Sequence, residues 1–325
     1  MKAIVRTKFG GPDVLKVQEV DTPRPEAGEV LVRVKAFGLN RAELYMRKGV
    51  WGDVAQISGI ECVGEVEDDP SGDLPKGQAV FAIMGGMGRT RNGSYAEYVC
   101  VPSTNVVAVH SGLDWPSLAA LPESYATAWY CLNKNMGLKP GARILIRGGT
   151  SALGQAAINI AANVPDTHIV ATSRKPQREA DLRALGASDF IIEKPDLHNQ
   201  IRAKYPDGLD GVLDIIGNTT LLDSLKIART GGVVCTAGFL GGGDPIPFNP
   251  LMDMPSCVNL NFFASFMFGT PGFSLSDIPF DDIIRNVETG IYKARPAEVF
   301  AFSDIAKAHA MMEANTAAGK LVVAL

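Results

Sequence analysis

The sequence predicts an α/β protein with two domains, one built on a partly open β-barrel and the other on a parallel sheet. At 325 residues the chain is too long for one ordinary hydrophobic core. Its first third has short β-type segments separated by glycine and proline turns. From Trp115 onward, helical and strand patterns alternate, which is typical of parallel βαβ units with right-handed crossovers.

The first third contains three segments in which apolar and polar residues alternate, as they do in half-buried strands. These segments cover 30–35, 61–67 and 78–82, and a short helical pattern covers 41–48. Strands this short, with turns between them, indicate an antiparallel barrel that is partly open.

The second part is predicted to begin with a helix over 117–136. Strands are then predicted at 143–147, 169–173, 190–192, 211–216, 233–237 and 259–263. Helices are predicted between them at 152–164, through 185, near 198 and through 228. The prediction is completed by a glycine- and proline-rich connection over 240–256, helices at 281–288 and 303–315, and a last strand at 320–324.

The most informative motif is the glycine turn that follows the first strand of the parallel part. Gly148 and Gly149 follow a strand with three consecutive apolar residues, Ile144 to Ile146, and they allow a turn in which the backbone approaches a ligand closely. The helix after the turn directs unpaired N–H groups and a positive dipole end at the bend, which favours a pyrophosphate. Ser151 and Ala152 interrupt the G-x-G-x-x-G pattern, so the turn alone is weak evidence.

The end of the next strand indicates which dinucleotide binds. Ser173, Arg174 and Lys175 lie there, and no acidic residue occurs over 168–177. An acidic residue would bond the ribose 2′-hydroxyl of NAD, whereas a basic residue accommodates the 2′-phosphate of NADP. We therefore predict NADPH as the cofactor. The alternative is that both basic residues are merely solvated before the next helix.

Composition excludes several classes of protein. The net charge of -4 argues against a general nucleic-acid or membrane-surface binder. No apolar run reaches the roughly 18 residues of a membrane span, and charge appears too early for a signal peptide. We therefore expect a cytoplasmic protein. The five cysteines are scattered, which indicates reduced thiols and excludes a four-cysteine zinc site.

Several short motifs occur in order along nearly the whole chain. They are MKAI at 1–4, GLNRAEL at 38–44, GIECVG at 59–64, GSYAEYV at 93–99, LP at 121–122 with TA at 127–128, the glycine turn, LGA at 185–187 and GKLVV at 319–323. In order and spacing they resemble the zinc-independent quinone oxidoreductase branch of the medium-chain dehydrogenase/reductase superfamily.

The resemblance implies a fold and an assembly. It implies a GroES-like catalytic domain at 1–116 and 264–325, and a Rossmann NADP-binding domain at 117–263. It also implies a homodimer formed through the last Rossmann strand, at 259–263. The alternative for that strand is an internal position without a partner.

The resemblance also implies that no metal is bound. Where zinc-dependent relatives carry a cysteine ligand this chain has Asn40, and where they carry histidine it has Ile60. Isoleucine cannot ligate zinc. Without a Lewis acid, alcohol oxidation loses its usual driving device, whereas reduction of a quinone or an enone remains feasible.

Two side chains are predicted to be catalytic. The Asn40 amide could donate to the developing oxyanion of the acceptor, and the alternative is a structural asparagine in a turn. The Tyr45 phenol could donate a proton or a hydrogen bond, and the alternative is a core tyrosine. Glu43 is interpreted as a local partner of Arg41 or Arg47. Solvent could also supply the proton, in which case neither side chain is essential.

The resemblance implies that the cofactor contacts residues at the carboxyl ends of the strands and a few others. These are Asn40, Thr127, Gly148, Thr150, Ser151, Ala152, Leu153, Ser173, Arg174, Lys175, Gly217, Asn218, Gly238, Phe239, Leu240, Phe263, Ala264, Ser265 and Lys320. One departure weakens the NADPH prediction: many NADPH-using relatives have a tyrosine soon after the third strand, where this chain has Glu193 preceded by two isoleucines.

Two stretches are candidates for substrate selection. The glycine-rich loop 85–93 carries Arg89 and Arg91, and its alternative is an exposed turn. An aromatic cluster over 262–268 could stack on a planar acceptor, and its alternative is packing in the core or in a dimer interface.

Three functions remain in competition. The leading hypothesis is an NADPH-dependent quinone oxidoreductase that transfers hydride directly to a quinone or another activated carbonyl acceptor. A 2-enoyl thioester or enone reductase is the second hypothesis. The third is a non-catalytic NADPH-binding protein, because a fold can retain its cofactor without efficient turnover.

Overall fold

A computed structural model describes residues 1–325, and its backbone contacts divide the chain into two compact units. We call them the barrel unit and the sheet unit. The barrel unit comprises Met1–Glu123, Ser265–Gly290 and Ala294–Leu325, and the sheet unit comprises Ser124–Ala264 and Ile291–Lys293. None of the helices combines the length and the apolar character that crossing a membrane requires.

The chain contains fifteen strands. In chain order they are β1 (Lys2–Arg6), β2 (Leu15–Glu19), β3 (Glu29–Gly38), β4 (Glu61–Asp68), β5 (Ala79–Ile83), β6 (Tyr98–Pro102), β7 (Val106–Ala108), β8 (Arg143–Arg147), β9 (His168–Ser173), β10 (Asp189–Ile192), β11 (Leu209–Asp214), β12 (Ala228–Thr236), β13 (Asn259–Phe262), β14 (Glu298–Ala301) and β15 (Leu321–Ala324).

The ten α-helices are α1 (Arg41–Lys48), α2 (Trp115–Ala119), α3 (Pro122–Trp129), α4 (Ala152–Ala162), α5 (Glu179–Leu185), α6 (Leu197–Lys204), α7 (Leu221–Ile227), α8 (Pro250–Asp253), α9 (Phe280–Glu288) and α10 (Ile305–Glu313). A π-helical segment covers Tyr130–Asn135. Short 3₁₀ segments lie at Pro12–Val14, Ser103–Asn105, Pro176–Arg178, Ser265–Met267, Leu275–Asp277 and Phe302–Asp304.

The barrel unit is built on a seven-stranded sheet in the order β14-β15-β3-β4-β5-β7, with β6 also pairing with β3. All of these pairs are antiparallel except β14 with β15. A separate antiparallel pair, β1 with β2, completes the strands. Alternating residues of β3, such as Val30, Val32 and Val34, lie in one buried core with Cys62 of β4 and Val80 of β5. This is the barrel-type architecture that the alternation predicted.

The sheet unit has six parallel strands in the order β10-β9-β8-β11-β12-β13. Numbered along the chain from β8, this is the doubly wound order 3-2-1-4-5-6, in which the chain direction across the sheet reverses between β8 and β11. Ligands of such sheets bind at the carboxyl ends of the strands near this reversal. Leu145, Val170, Val212 and Val234 of four neighbouring strands form the centre of its core.

The connection predicted over 240–256 contains the short helix α8 at Pro250–Asp253, and two other predictions were wrong in their boundaries. The single helix predicted over 117–136 is divided into α2, α3 and the π-helical segment, because Pro122 cannot continue a helix from the residues before it. β12 begins at Ala228, five residues before its predicted start at 233. Gly231 has a φ of +77° and the register with β11 shifts nearby, so a strand with a bulge resembles a loop in the sequence.

Candidate functional site

The glycine turn between β8 and α4 has the close backbone packing that a phosphate-binding turn needs. Gly148 has a φ of +85°, in the region where glycine is favoured. A side chain at Gly154 would overlap the Gly148 carbonyl and would lie 2.8 Å from the Gly149 Cα atom. Helix and turn therefore approach more closely than any residue with a Cβ atom would allow.

Ser151 caps α4 and leaves other donors of the first turn free. Its hydroxyl accepts a hydrogen bond from the Gly154 N–H at 3.0 Å and donates to the Gly148 carbonyl at 2.8 Å. The N–H groups of Ala152 and Leu153 have no acceptor within the chain. Together with the helix dipole, these two donors form a site suited to an anion. The serine thus adds side-chain hydrogen bonds at the N-cap that a glycine would lack.

The end of β9 carries two basic side chains that are free of acidic partners. Ser173 is buried, and its hydroxyl accepts the Lys175 N–H at 3.2 Å. Arg174 and Lys175 are exposed, and neither side chain has a carboxylate within 4 Å. Because β9 lies beside β8, these cations lie at the same edge of the sheet as the glycine turn. The edge therefore offers positive charge without a competing acid.

The ends of β11 and β12 bring further predicted residues to this edge. Gly217 has a φ of +87°, and a Cβ atom there would overlap the Gly238 carbonyl, so the two turns are in contact. The Asn218 amide donates to the Asp244 carbonyl at 2.6 Å. The N–H of Leu240 bonds the Ile215 carbonyl at 3.3 Å. The loop after β12 is thereby tied to the loop after β11.

The remaining predicted residues of the sheet unit are mostly packed within it. Phe263 is buried and stacks on Tyr130, with 4.5 Å between ring centroids. Phe239 contacts Phe262 at 5.8 Å between centroids. Thr127 is buried in α3. Thr150 and Ala264 are half-buried.

A buried arginine that the sequence analysis did not select joins the strand ends. Arg147 is the last residue of β8 and is 1% exposed. Its guanidinium pairs with Glu193 at 2.7 Å and with Asp223 at 2.8 Å, and it donates to the Ser224 hydroxyl at 2.9 Å. Ser224 in turn donates to Asp214 at 2.6 Å. The sequence signal that could have identified Arg147 is a charged residue at the end of an apolar strand.

This cluster explains the residue that departs from the NADPH-using relatives. One Glu193 oxygen accepts a hydrogen bond from the Thr172 hydroxyl at 2.8 Å, and both oxygens are engaged by Arg147. Its charge is therefore compensated inside the unit. Burial raises the pKa of Asp214, although the Gly217 N–H and neighbouring hydroxyls stabilise its charged form.

In the barrel unit, the side chain of Asn40 is held by two charged groups. Its amide nitrogen donates to Glu61 at 2.8 Å, and its oxygen accepts from the Lys320 ammonium at 2.6 Å. Lys320 also donates to Glu61, so the three side chains close a ring of contacts. Glu61 is fully buried and Lys320 is 5% exposed. Lys320, which was predicted to contact the cofactor, thus lies with the predicted catalytic asparagine.

Glu43 is the second acid of this cluster, rather than a partner of Arg41 or Arg47 as interpreted from the sequence. It is fully buried, and its carboxylate accepts the N–H groups of Asn40 at 2.6 Å and Ile60 at 3.3 Å. Burial raises the pKa of Glu43 to about 8, the Glu61 charge adds to the shift, and Lys320 opposes it. With one ammonium for two carboxylates, the cluster is most stable when Glu43 keeps its proton.

Tyr45 lies on α1, the helix that Asn40 caps. It is half-buried and packs against Trp51, with 5.6 Å between ring centroids. Burial raises the pKa of Tyr45, so the phenol remains protonated at neutral pH and can donate a hydrogen bond. Ser265, the remaining predicted site residue, begins a 3₁₀ segment of the barrel unit.

The chain matches two family descriptions. Residues 26–111 match "Alcohol dehydrogenase GroES-like domain", and residues 152–271 match "Zinc-binding dehydrogenase". Among curated proteins, the quinone oxidoreductase of Lama guanicoe is 27% identical over 338 residues, covering 100% of this chain and 98% of that protein.

Two solved structures illustrate the structural likeness. The Escherichia coli quinone oxidoreductase complexed with NADPH has a TM-score of 0.88 at 20% identity and covers 100% of both chains. A 2-haloacrylate reductase has a TM-score of 0.86 at 25% identity, covering 100% of this chain and 99% of that one.

A GroES-like unit combined with a doubly wound parallel sheet defines a class of two-unit dehydrogenases and reductases. The chain belongs to the medium-chain dehydrogenase/reductase superfamily. Within it, the chain resembles the branch whose members are named quinone oxidoreductase. The fold class predicted from the sequence is confirmed.

Proposed function

We propose that this protein is an NADPH-dependent, zinc-independent oxidoreductase that reduces a quinone or another activated carbonyl acceptor. The observation that carries the proposal is the pair of cations at the end of β9, Arg174 and Lys175, neither of which has a carboxylate within 4 Å. The glycine turn and the free N–H groups of Ala152 and Leu153 fit a diphosphate on the neighbouring strand end. The likeness to a fold solved with NADPH is consistent with this assignment.

The residues around Asn40 do not fit zinc. Structural and catalytic zinc sites need thiolate, imidazole or carboxylate ligands, and Ile60 offers no donor atom. Of the two carboxyl groups beside Asn40, that of Glu61 is already paired with the Lys320 ammonium, and that of Glu43 accepts two backbone N–H groups. A second cation at this place would have to displace the first. We therefore derive no step through a metal, and stoichiometric zinc in the purified protein would contradict the proposal.

When bound, the reduced nicotinamide supplies a hydride, which is two electrons and one proton, and the acceptor takes one more proton from a donor or from water. The protein contributes orientation and polar stabilisation. The Lys320 and Glu61 contacts fix the Asn40 amide in one orientation, which leaves its second N–H to donate to a developing oxyanion. The Tyr45 phenol provides a second donor on the same helix.

The test compares NADPH with NADH as reductants of a panel of quinones and enones. We expect kcat/KM to be much higher with NADPH. Arg174→Glu should reduce this preference by about 10- to 100-fold, because a charge-assisted hydrogen bond to the 2′-phosphate is lost and replaced by repulsion. Lys139→Glu makes the matched control, since it reverses an exposed charge before β8, at the opposite edge of the sheet. An unchanged preference in Arg174→Glu would refute the role of Arg174.

An enone or 2-enoyl thioester reductase is the second candidate. The 25% identical relative named 2-haloacrylate reductase favours reduction of an activated double bond. Titrating NADPH oxidation by a simple quinone against oxidation by a crotonyl thioester separates the two reactions. Cofactor binding without oxidation by any acceptor would instead support the non-catalytic alternative.

Assembly and location remain predictions. We propose a homodimer through β13, which is the outermost strand of its sheet and exposes Phe262. An unpaired strand edge is a template for a second strand. Sedimentation equilibrium would test it, with a monomer at micromolar concentration as the contrary result. The cytoplasmic location and the domain boundaries at 116 and 264 also stay predictions.

A further inference from the structure

The two stretches that the sequence marked for substrate selection meet in the barrel unit. The guanidinium of Arg89, from the loop 85–93, lies over the ring of Phe266 at 4.9 Å from its centroid. It also lies over the ring of Trp51 at 5.4 Å. An arginine and two aromatic residues from distant parts of the chain thus form one exposed feature.

Arg89 is held in place by its backbone and by these rings, and no acid neutralises it. Its N–H bonds the Gly86 carbonyl at 3.0 Å, and its carbonyl accepts the Ala55 N–H at 3.0 Å. The side chain is exposed and has no carboxylate within 4 Å. Arg91, two residues later, pairs with Glu29 at 2.5 Å. Of the two arginines of this loop, only Arg89 keeps its charge available.

The aromatic part of the feature extends to the predicted catalytic helix. Trp51 packs against Tyr45 of α1, with an interplanar angle of 41°. Trp51 is 41% exposed and Phe266 is 51% exposed, which is unusual for side chains of this size. We call Tyr45, Trp51, Arg89 and Phe266 the arginine–aromatic surface. It offers uncovered rings and a positive charge side by side.

The geometry points to a binding site for an acceptor that is both planar and negatively charged, such as a quinone or enone bearing a carboxylate or sulfonate. The Arg89 guanidinium lies over both rings and has no acid partner, so its N–H groups remain for an anion, and a carboxylate or sulfonate can accept them in pairs. The exposed rings provide stacking area for the planar part. The site rests on the proposed function and names its substrate class.

A purely structural role is the competing explanation, in which Arg89 fastens its loop to Trp51 and Phe266. The two roles differ in what they recognise. If Arg89 only holds its loop in place, replacing it should change kcat/KM for neutral and anionic acceptors alike. If Arg89 binds the acceptor, replacing it should lower kcat/KM mainly for the anionic one. Arg89→Lys keeps the charge and loses the paired N–H geometry, so it separates charge from shape.

The experiment measures kcat and KM with 1,4-naphthoquinone and with 1,4-naphthoquinone-2-sulfonate. In Arg89→Gln we expect kcat/KM for the sulfonate to fall about 10- to 100-fold, mainly through KM, because a charge-assisted contact is lost. The neutral quinone should lose no more than about threefold, as expected for a weakened exposed cation–π contact. Arg89→Lys should lie between the wild type and Arg89→Gln.

Arg33→Gln is the matched control, because Arg33 is exposed on β3 in the same unit and is not part of the arginine–aromatic surface. It should change neither acceptor. Equal losses for both acceptors in Arg89→Gln, or an unchanged sulfonate value, would overturn the assignment.

A binding measurement keeps this inference separate from the proposed function. Calorimetric titration should show that naphthalene-2-sulfonate binds the wild type more tightly than 2-naphthol, and that Arg89→Gln abolishes the difference. If no acceptor oxidises NADPH but this difference is observed, the proposed reaction fails and the anion site stands. If turnover is observed without any dependence on Arg89 in either assay, only the anion site fails.

Discussion

The barrel unit and the sheet unit each bury an ionic cluster, and the two clusters are balanced differently. In the sheet unit, Arg147 contacts Glu193 and Asp223 directly and reaches Asp214 through Ser224. In the barrel unit, Lys320 has one carboxylate partner, Glu61, while Glu43 is satisfied only by backbone donors.

The difference lies in the chemistry of the cations and the number of donors. A guanidinium does not lose its proton in proteins and donates in several directions, so it can join several strand ends at any ordinary pH. An ammonium is a compact charge that serves fewer partners. In the barrel cluster, burial raises the pKa of Glu43 to about 8, and the charge of Lys320 only partly opposes this shift. We infer that the sheet cluster stabilises the fold at any ordinary pH, whereas the stability contributed by the barrel cluster depends on pH.

The largest effect is expected from Arg147→Met. It leaves buried carboxylates without their cation, which costs about 3–5 kcal/mol of unfolding free energy. Urea unfolding followed by circular dichroism measures the loss. Arg229→Met, which breaks the partly exposed pair with Asp210, is the control and should cost at most about 1 kcal/mol. Similar costs for the two variants would mean that the ion pairs of Arg147 do not stabilise the sheet unit more than an exposed pair does.

Lys320→Met tests the barrel cluster in the same way. We expect a somewhat smaller loss, about 3 kcal/mol, since Glu61 keeps the donors from Asn40 and Glu123. Adding Glu61→Gln removes the unpaired charge and should recover most of the loss, because a pair removed together costs far less than one partner removed alone. No recovery in the double variant would show that Lys320 acts through packing instead of charge.

Glu43→Gln tests the pH dependence. The folded pKa of Glu43, about 8, is above its ordinary value of 4.5, so its stabilising contribution is complete below pH 4.5 and is lost as pH rises toward 8. Between pH 6.5 and 8 the wild type should lose about 2 kcal/mol on account of this group, at about 1.4 kcal/mol per pH unit. In Glu43→Gln the unfolding free energy should not fall in this way between pH 6.5 and 8, even if the variant is more or less stable than the wild type at every pH.

The pH window is chosen to exclude a second buried group of the barrel unit. Burial lowers the pKa of His309 to about 3, and the Arg47 charge contributes. His309 is therefore neutral in the folded state and changes stability only below about pH 6.5, in the opposite direction. Parallel stability curves for wild type and Glu43→Gln from pH 6.5 to 8 would contradict the raised pKa.

The smallest effect is expected from Ser151→Ala. Loss of the N-cap should cost about 1 kcal/mol of stability, while Ser151→Gly should cost only a few tenths. Thermal unfolding of the two variants provides the comparison. If Ser151→Ala is as stable as the wild type, the serine does not cap α4 in solution.

Much of the fold followed from local patterns. Apolar runs placed β8 and β9 within one residue of their observed bounds, because the centre of a strand covered on both faces is apolar. The glycines of the turn at 148–154 were recognisable because few other residues permit that backbone. By contrast, β1, β2, β6, β7 and β14 were not predicted. Of these, β2 and β14 are short and mostly exposed, and such strands carry little periodicity.

The sequence by itself determined the parallel sheet, the glycine turn and the absence of an acid beside Arg174, because each depends on neighbouring residues. Only the tertiary structure showed that Lys320 and Glu61 hold Asn40. It also showed that Arg147 at the end of β8 pairs with Glu193 after β10 and with Asp223 of α7, and that Arg89 lies over the rings of Trp51 and Phe266. These contacts join residues far apart in the chain. Which residues pair in this way depends on burial and on the need to compensate buried charge, and neither can be derived from a local sequence pattern.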